Sequence, residues 1–340
     1  PVSIEKLDIL DIRNTAAASF YEGLATLKGV DMSTQSITFK SINTRGFGAN
    51  GNTRFVQLID GIDNQAPGLN FAVGNIVGIN DLDLESAELQ PGASSALYGP
   101  NAINGILLLT SKNPFEYQGL SVYAKTGVNH VDEIDDNVSL YQDYGFRYAK
   151  AFKVTASYLS ANDFIGVDTR DQGLATGGVV ERGATARNGN RFYDGVNTYG
   201  DFGITVGRIA DGAIAGGNTS VAAIRSLFPD DQSGYFTPTG FSEASFVDNT
   251  TESVKIGGAL HYRLNDNLEL LGQFNYGSGS TVYTANDRFV LDNFSITTAK
   301  LELKGSEFYL RAYTTQENSG DTYAANTLAS LINQQTYLSP

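Results

Sequence analysis

Apolar and polar residues follow two different rhythms along this chain, and the change falls near Pro114. Before it, segments of mixed type succeed one another. An extended stretch from Val2 to Leu7 precedes a helical pattern in which Phe20, Leu24 and Leu27 recur at i, i+4 and i+7, with Asn14 or Thr15 as N-cap and Gly29 as the stop. Ile37 to Ile42 and Phe55 to Ile59 read as short strands, the second running into the turn pair Asp60-Gly61. Leu84 to Leu89 and Ile106 to Thr110 complete a small sheet. Residues 1–116 are therefore expected to form one α+β domain of ordinary size.

Residues 117–340 read differently: segments of about ten residues alternate with period two, the length a tilted strand needs to cross a bilayer. Leu120, Val122, Ala124 and Val128 share one face, and Ser121, Tyr123 and Lys125 the other. Val254, Ile256, Leu260 and Tyr262 separate in the same way from Lys255, His261 and Arg263. So do Leu268, Leu270, Phe274 and Tyr276 from Glu269, Gln273 and Asn275. A soluble β-sandwich also alternates, so the connections discriminate. Those at Phe152-Lys153, Leu264 to Asn267 and Lys304 to Glu307 are tight, whereas Asn129 to Asn137, Phe164 to Thr250, Gly277 to Asn293 and Asn318 onward are long. Short turns alternating with long loops are the habit of an outer-membrane barrel. About seven strands are counted, too few to sit in lipid with both edges unpaired. A partial barrel is expected, completed by chain beyond Pro340, by residues not resolved, or by another chain, with a long extracellular loop at about 165–250.

Composition agrees with a β-rich chain: 37 Gly and 18 Tyr among 340 residues, with 18% charged. The absence of Cys sets aside disulfide scaffolds, zinc clusters and thiol nucleophiles. A net charge of -14 argues against a nucleic-acid partner, which needs clustered basic surface. No apolar run is long enough for a transmembrane helix, which leaves a barrel untouched. The chain opens on Pro1 with no charged-then-apolar leader and reads as a mature or trimmed product.

Five motifs occur in one order before Pro114: Thr44-Arg45-Gly46-Phe47, Val56 to Ile62 closing on Asp60-Gly61, Leu84-Glu85-Ser86-Ala87-Glu88-Leu89, Gly92 to Gly99, and Asn101 to Ile106. This series, over Val2 to Asn113, resembles the plug domain of TonB-dependent outer-membrane receptors. One departure is Gln90-Pro91, where the family commonly has a basic residue before the Gly. Arg45 carries an always-charged planar fork suited to carboxylates, and Glu85 and Glu88 stand where the family places buried plug-to-barrel charge pairs. The resemblance thus implies a latch of Arg45, Glu85 and Glu88 between plug and barrel wall.

The resemblance further implies a barrel of about 22 antiparallel strands with the plug in its lumen, in the outer membrane of a Gram-negative bacterium. The implied activity is uptake of a scarce nutrient, such as a ferric chelate or oligosaccharide, driven by the inner-membrane TonB complex acting on a segment upstream of Pro1. Outer-membrane lipid, and a surface lipoprotein or other outer-membrane subunit, are the further implied partners. The alternative is a receptor-like structural subunit that no longer transports. Substrate contacts are expected from Asn64, Gln65, Asn70, Phe71 and Asn75, and from Phe192, Tyr193, Tyr199, Tyr235, Phe236 and Phe241 of the long loop, because amides orient and rings stack on sugars or chelates.

Other signals carry less. Gly46 to Gly51 fits G-x-G-x-x-G, but a β-branched strand follows it where a dinucleotide site needs a helix. His130 and His261 stand far apart, and no nucleophile elbow supports them, so neither an enzyme nor a cofactor is expected. The acidic groups Asp132, Glu133, Asp135 and Asp136, and Asp230-Asp231, fit solvated loops better than calcium sites.

Overall fold

The computed structural model describes residues 4–8, 11, 19–48, 50–99, 101–130, 138–171, 193–201, 203–229, 234–284 and 287–338. The expected N-cap at Asn14 or Thr15, both acidic loop groups and Phe192 lie outside them. The chain divides into two compact units, one of Pro1–Val131, Val138–Phe164 and Asn249–Tyr323, the other of Asp132–Asn137, Ile165–Asp248 and Ala324–Pro340.

The first unit begins with β1 (Glu5–Leu7), α1 (Phe20–Gly23), β2 (Val30–Thr34), β3 (Lys40–Thr44), β4 (Phe55–Ile59) and β5 (Ile62–Asp63). It continues through β6 (Gln65–Ala66), β7 (Phe71–Ala72), β8 (Leu84–Pro91), α2 (Ser95–Tyr98) and β9 (Gly105–Ser111). Five of these strands form a sheet in the order β1-β8-β9-β4-β5, in which only β4 and β9 run parallel. Phe20, Tyr21 and Leu24 pack on one face of it with Leu84, Leu89, Leu107 and Leu109. The helical rhythm is honoured for a single turn, followed by a 3-10 turn at Leu24–Thr26.

The strand expected from Ile37 starts only at Lys40, because residues 35–39 are the tip of the β2–β3 hairpin. There the Ser36 hydroxyl accepts the Phe39 N–H at 2.8 Å, and the N–H groups of Gln35 and Ser36 both turn onto the Phe39 carbonyl. Asp60 and Gly61 hold φ of 50° and 76°, the two positive values a two-residue hairpin turn requires, and Ile59 pairs with Ile62.

Then come β10 (Gly119–His130), β11 (Val138–Ala149) and β12 (Phe152–Asn162). The segment that follows is a small unit of its own, with β13 (Thr198–Tyr199), β14 (Ile204–Thr205), α3 (Val206–Ala215), α4 (Ala222–Leu227), β15 (Tyr235–Phe236), β16 (Phe241–Ser242) and α5 (Glu243–Phe246). Long strands resume with β17 (Thr250–Asn265), β18 (Leu268–Thr284), β19 (Arg288–Gly305) and β20 (Tyr309–Asn318). The wall sheet runs β10-β11-β12-β17-β18-β19-β20, each strand antiparallel to the next in sequence.

One expected loop is corrected. Gly277 to Asn293 is mostly strand, since β18 and β19 stay paired as far as Thr284 and Arg288. Their upper ends carry Tyr283, Leu291 and Phe294, which are buried against Phe39, Phe71, Val73 and Ile76 of the N-terminal domain. A loop there would leave that cluster without a wall. A register shift at Gly279/Thr281 accompanies the change of face.

The two faces of the wall differ as the period-two pattern predicts. Leu120, Leu140, Ile256, Leu260, Phe274 and Leu301 point away from the N-terminal domain and are widely exposed, Leu120 at 63%. Arg147, Lys153, Thr155, Ser253, Lys255 and Lys300 point towards it and are buried. No helix among the described residues is long and apolar enough to cross a membrane, which says nothing of a β-barrel.

In the second unit, Ala325 and Ala329 on α6 (Ala325–Leu338) are fully buried. Gly200, at φ +77°, lies so close to Ala329 that a Cβ there would sit 2.6 Å from the alanine methyl. Asn326 and Asn333 hydrogen-bond to the Gly200 N–H and carbonyl at 3.0 and 2.6 Å. The long loop is thus a folded body that includes a helix from the far end of the chain.

Candidate functional site

The seam between the N-terminal domain and the inner face of the wall holds the richest chemistry in the first unit. Each of the seven wall strands reaches the domain with a polar group. On β10, β11 and β12, Lys125 meets Asp81 at 3.3 Å, and Arg147 and Lys153 meet the two oxygens of Asp83 at 2.8 and 2.7 Å. From β17, Lys255 donates to the Asn75 side chain (2.8 Å) and Ser253 to the Ile76 carbonyl (2.8 Å). From β18 and β19, Gln273 donates to the Asp60 carboxylate (2.7 Å) and Lys300 to the Asp60 carbonyl (3.1 Å). From β20, Arg311 donates to the Gly61 carbonyl (3.3 Å) while paired with Glu302 (2.5 Å).

Asp60 and Asp83 are the centre of this network, joined through Ser111 and Lys153. The Ser111 hydroxyl donates to Asp60 (2.7 Å), and Lys153 bridges the Ser111 oxygen (2.6 Å) and Asp83. Burial alone would raise the Asp60 pKa. The Lys153 charge, two hydrogen bonds from Ser111 and one from Gln273 more than offset it and hold the carboxyl below its ordinary value. Arg147 also donates to the Tyr117 carbonyl (2.9 Å), which fixes the link between domain and wall. Its Nη2 is buried without a partner among the described residues.

Close approach makes these bonds reachable. Gly277 of β18 lies where a Cβ would stand 2.6 Å from the Val77 Cα, and a Cβ on Gly279 would stand 2.2 Å from the Glu252 carbonyl. Without side chains at these positions, the segment carrying Ile76 and Val77 lies flat on the strand.

The residues expected to latch or bind are placed as follows. Arg45 is exposed, at φ 57°, with its guanidinium over Gly92, in an open concavity that Phe47, Asn52, Arg54 and Asn104 also line. Glu88 pairs with Lys6 of its own sheet (2.9 Å), and burial raises the Tyr117 pKa, with the charge of Glu85 adding to it. The ion pairs that cross from domain to wall run through Asp81 and Asp83. The sequence carried a signal for them: Asp81-Leu82-Asp83 immediately precedes β8, and period-two alternation sets Arg147, Lys153 and Lys255 on the wet face of the wall.

Among the expected substrate contacts, Gln65 is buried and donates to the Phe55 carbonyl (2.9 Å). Asn64 is buried too, and its Nδ2 has no partner among the described residues beside a cavity of about 20 Å³. Phe71 packs edge-on against Phe39 and Tyr283, with centroids 6.1 and 5.9 Å away. Asn70 is exposed and accepts from Asn101 (3.2 Å). In the second unit, Tyr199 is buried and donates to Glu243 (2.8 Å), while Tyr235 is half-buried on the β14–β15 pair. His261 pairs with Glu269 (2.6 Å) and lies edge-on to Phe115.

Residues 1–106 match the family model described as TonB-dependent Receptor Plug Domain. Among solved structures, the ferric enterobactin receptor PfeA in complex with BCV-L6 aligns at TM-score 0.51 and 13% identity, over 92% of this chain and 40% of that one. A mutant of that receptor from Pseudomonas aeruginosa, in complex with enterobactin, aligns at 0.50 and 13%, over 93% and 41%. At such identity the likeness is one of fold. The chain spans 40–41% of the length of these receptors. No curated protein matches it as a relative.

Proposed function

We propose that this chain, a TonB-dependent receptor plug followed by strands that match part of a TonB-dependent barrel, belongs to a Gram-negative outer-membrane receptor that takes up a scarce nutrient. The observation that carries the reading is the two-sidedness of the wall. All seven strands bond the plug on one face and offer apolar and aromatic side chains on the other, the arrangement a lipid-embedded, plugged cylinder needs. The plug closes the lumen, and work delivered by the TonB complex opens it.

In this reading Asp60, Asp81 and Asp83 are the plug's side of an ionic latch, and Arg45, Glu85 and Glu88 add charges for further carboxylate or cation partners. Asn70 stands at an exposed plug apex, where it contacts the incoming nutrient, with Asn64, Gln65 and Phe71 shaping the loop behind it. Within the long-loop unit, Tyr199 and Tyr235 offer rings of their own to the nutrient, and the exposed Leu227 and Leu331 of that unit suit a surface lipoprotein. The substrate class fitted by amides and rings is a ferric chelate or an oligosaccharide. The test is growth of a deletion strain on single ferric chelates or glycans, with and without a working TonB system. A defect that appears only with TonB intact supports uptake, and unimpaired growth on every nutrient points to a structural subunit.

A further inference from the structure

The plug is held on its two flanks by unlike materials. Against the upper ends of β18 and β19, beyond the Gln273 and Lys300 contacts with Asp60, it is dry: Phe39, Tyr283 and Phe289 stack in a row with centroids 4.8 Å apart, and Phe71, Leu291 and Phe294 close around them. Against β10–β12 and β17 it is wet. A chamber of about 40 Å³, room for a water or two, lies among Asn75, Asp81, Tyr123, Asp143, Ser253 and Lys255. It shares Glu22, Ile37, Lys40 and Tyr141 with a second, larger cavity that is open to solvent, so two voids adjoin on the wet flank.

We infer that the plug parts from the wall on the β10–β12 and β17 flank while the aromatic anchor on β18–β19 holds, so that a hydrophilic solute passes along the Lys255 side. Water can replace each hydrogen bond lost on the wet flank, leaving a small net cost per bond. Rehydrating the ions recovers the penalty of burying them. Nothing in water replaces the packing of the stacked rings. The solute is expected to be polar, because the path is edged by lysine, aspartate, serine and tyrosine hydroxyl groups.

This inference rests on the proposed gating by the plug, yet its test needs no nutrient. The chain has no cysteine, so single probes can be placed cleanly. Ser253→Cys and Ile296→Cys occupy wall positions that are equally closed at rest, with 4% and 2% exposure. In outer-membrane vesicles holding the full receptor, a charged, membrane-impermeant maleimide is applied across sub-denaturing urea. Ser253→Cys should react at least about tenfold faster than Ile296→Cys, a difference in opening of ~1.4 kcal/mol. Equal rates, or faster labelling of Ile296→Cys, overturn the inference. If Ile296→Cys fails to assemble, Leu291→Cys in the same cluster replaces it, with the same two outcomes. Unimpaired growth of the deletion strain on every nutrient would sink the transport reading without altering this comparison.

Discussion

Replacing Asp83 with Asn removes a carboxylate that bonds two buried cations. Arg147 is 2% and Lys153 4% exposed, and both bond Asp83 within 2.8 Å. Deleting one partner of such a pair costs ~3–5 kcal/mol, mostly as uncompensated buried charge. Here the lower end applies, because Lys153 keeps Ser111 and the Lys112 carbonyl, and Arg147 keeps the Tyr117 carbonyl. A loss of ~3 kcal/mol divided by a urea slope of ~1–3 kcal/mol/M lowers the midpoint for plug release by about 1–3 M. Protease sensitivity of the plug against urea, in a receptor whose barrel stays folded, reads that midpoint. Asp266→Asn, in the exposed β17–β18 turn, is the control and should move stability by less than ~0.5 kcal/mol. Adding Lys153→Met to Asp83→Asn should restore part of the loss, since one stranded charge leaves with it. A midpoint for Asp83→Asn equal to that of the control would refute the latch.

Phe39→Ala takes an end ring from the stack on Tyr283, together with its edge contact with Phe71, and should lower plug stability by ~3–5 kcal/mol in the same urea series. Gly277→Val puts a side chain where Val77 now lies, so overpacking should cost ~1–3 kcal/mol and leave the plug open to protease before urea is added. The depressed pKa of Asp60 means that its contribution is fully present above the unfolded value near 3.8 and is lost as pH falls through the lower folded value. Asp63 and Asp163 act oppositely: burial raises both, so their cost eases as pH falls towards their folded values. The wild-type plug should therefore stay docked from pH 7 to about 4 and loosen only below that. Asp60→Asn should be weaker at neutral pH and lose that acid sensitivity, as read by tryptic cleavage or hydrogen exchange.

What could be read from residues alone was set by pattern strength. Alternation at Leu120 to Val128 and at Val254 to Tyr262 is interrupted only at Thr126 and Gly258, and these became long strands with a greasy exterior. Asp60-Gly61 has few conformational options and forms the expected hairpin turn. The upper halves of β18 and β19 escaped notice because both of their faces carry buried residues there, Val282 and Val290 beside Tyr283 and Leu291, so no alternation marks them. Phe71 resembles a ligand-stacking ring in a loop, and only tertiary packing shows what surrounds it. The acids that meet the wall lie on a bend before β8, where neither helical nor strand periodicity assigns a direction. Glu88 meanwhile finds Lys6 on the neighbouring strand β1, a pairing fixed by sheet order.

The central claim is that the wall encloses the plug and faces lipid with its other side. Single cysteines placed in turn along Leu120 to Asn129 and Ser253 to Leu260, labelled with a fluorophore and reconstituted with lipids quencher-tagged in their acyl chains, test it directly. Quenching should alternate with every residue, strong at Leu120, Val122, Ile256 and Leu260 and weak at Tyr123, Lys125, Ser253 and Lys255. Uniformly weak quenching on both faces would mean that the sheet never meets a bilayer, and the account would fail.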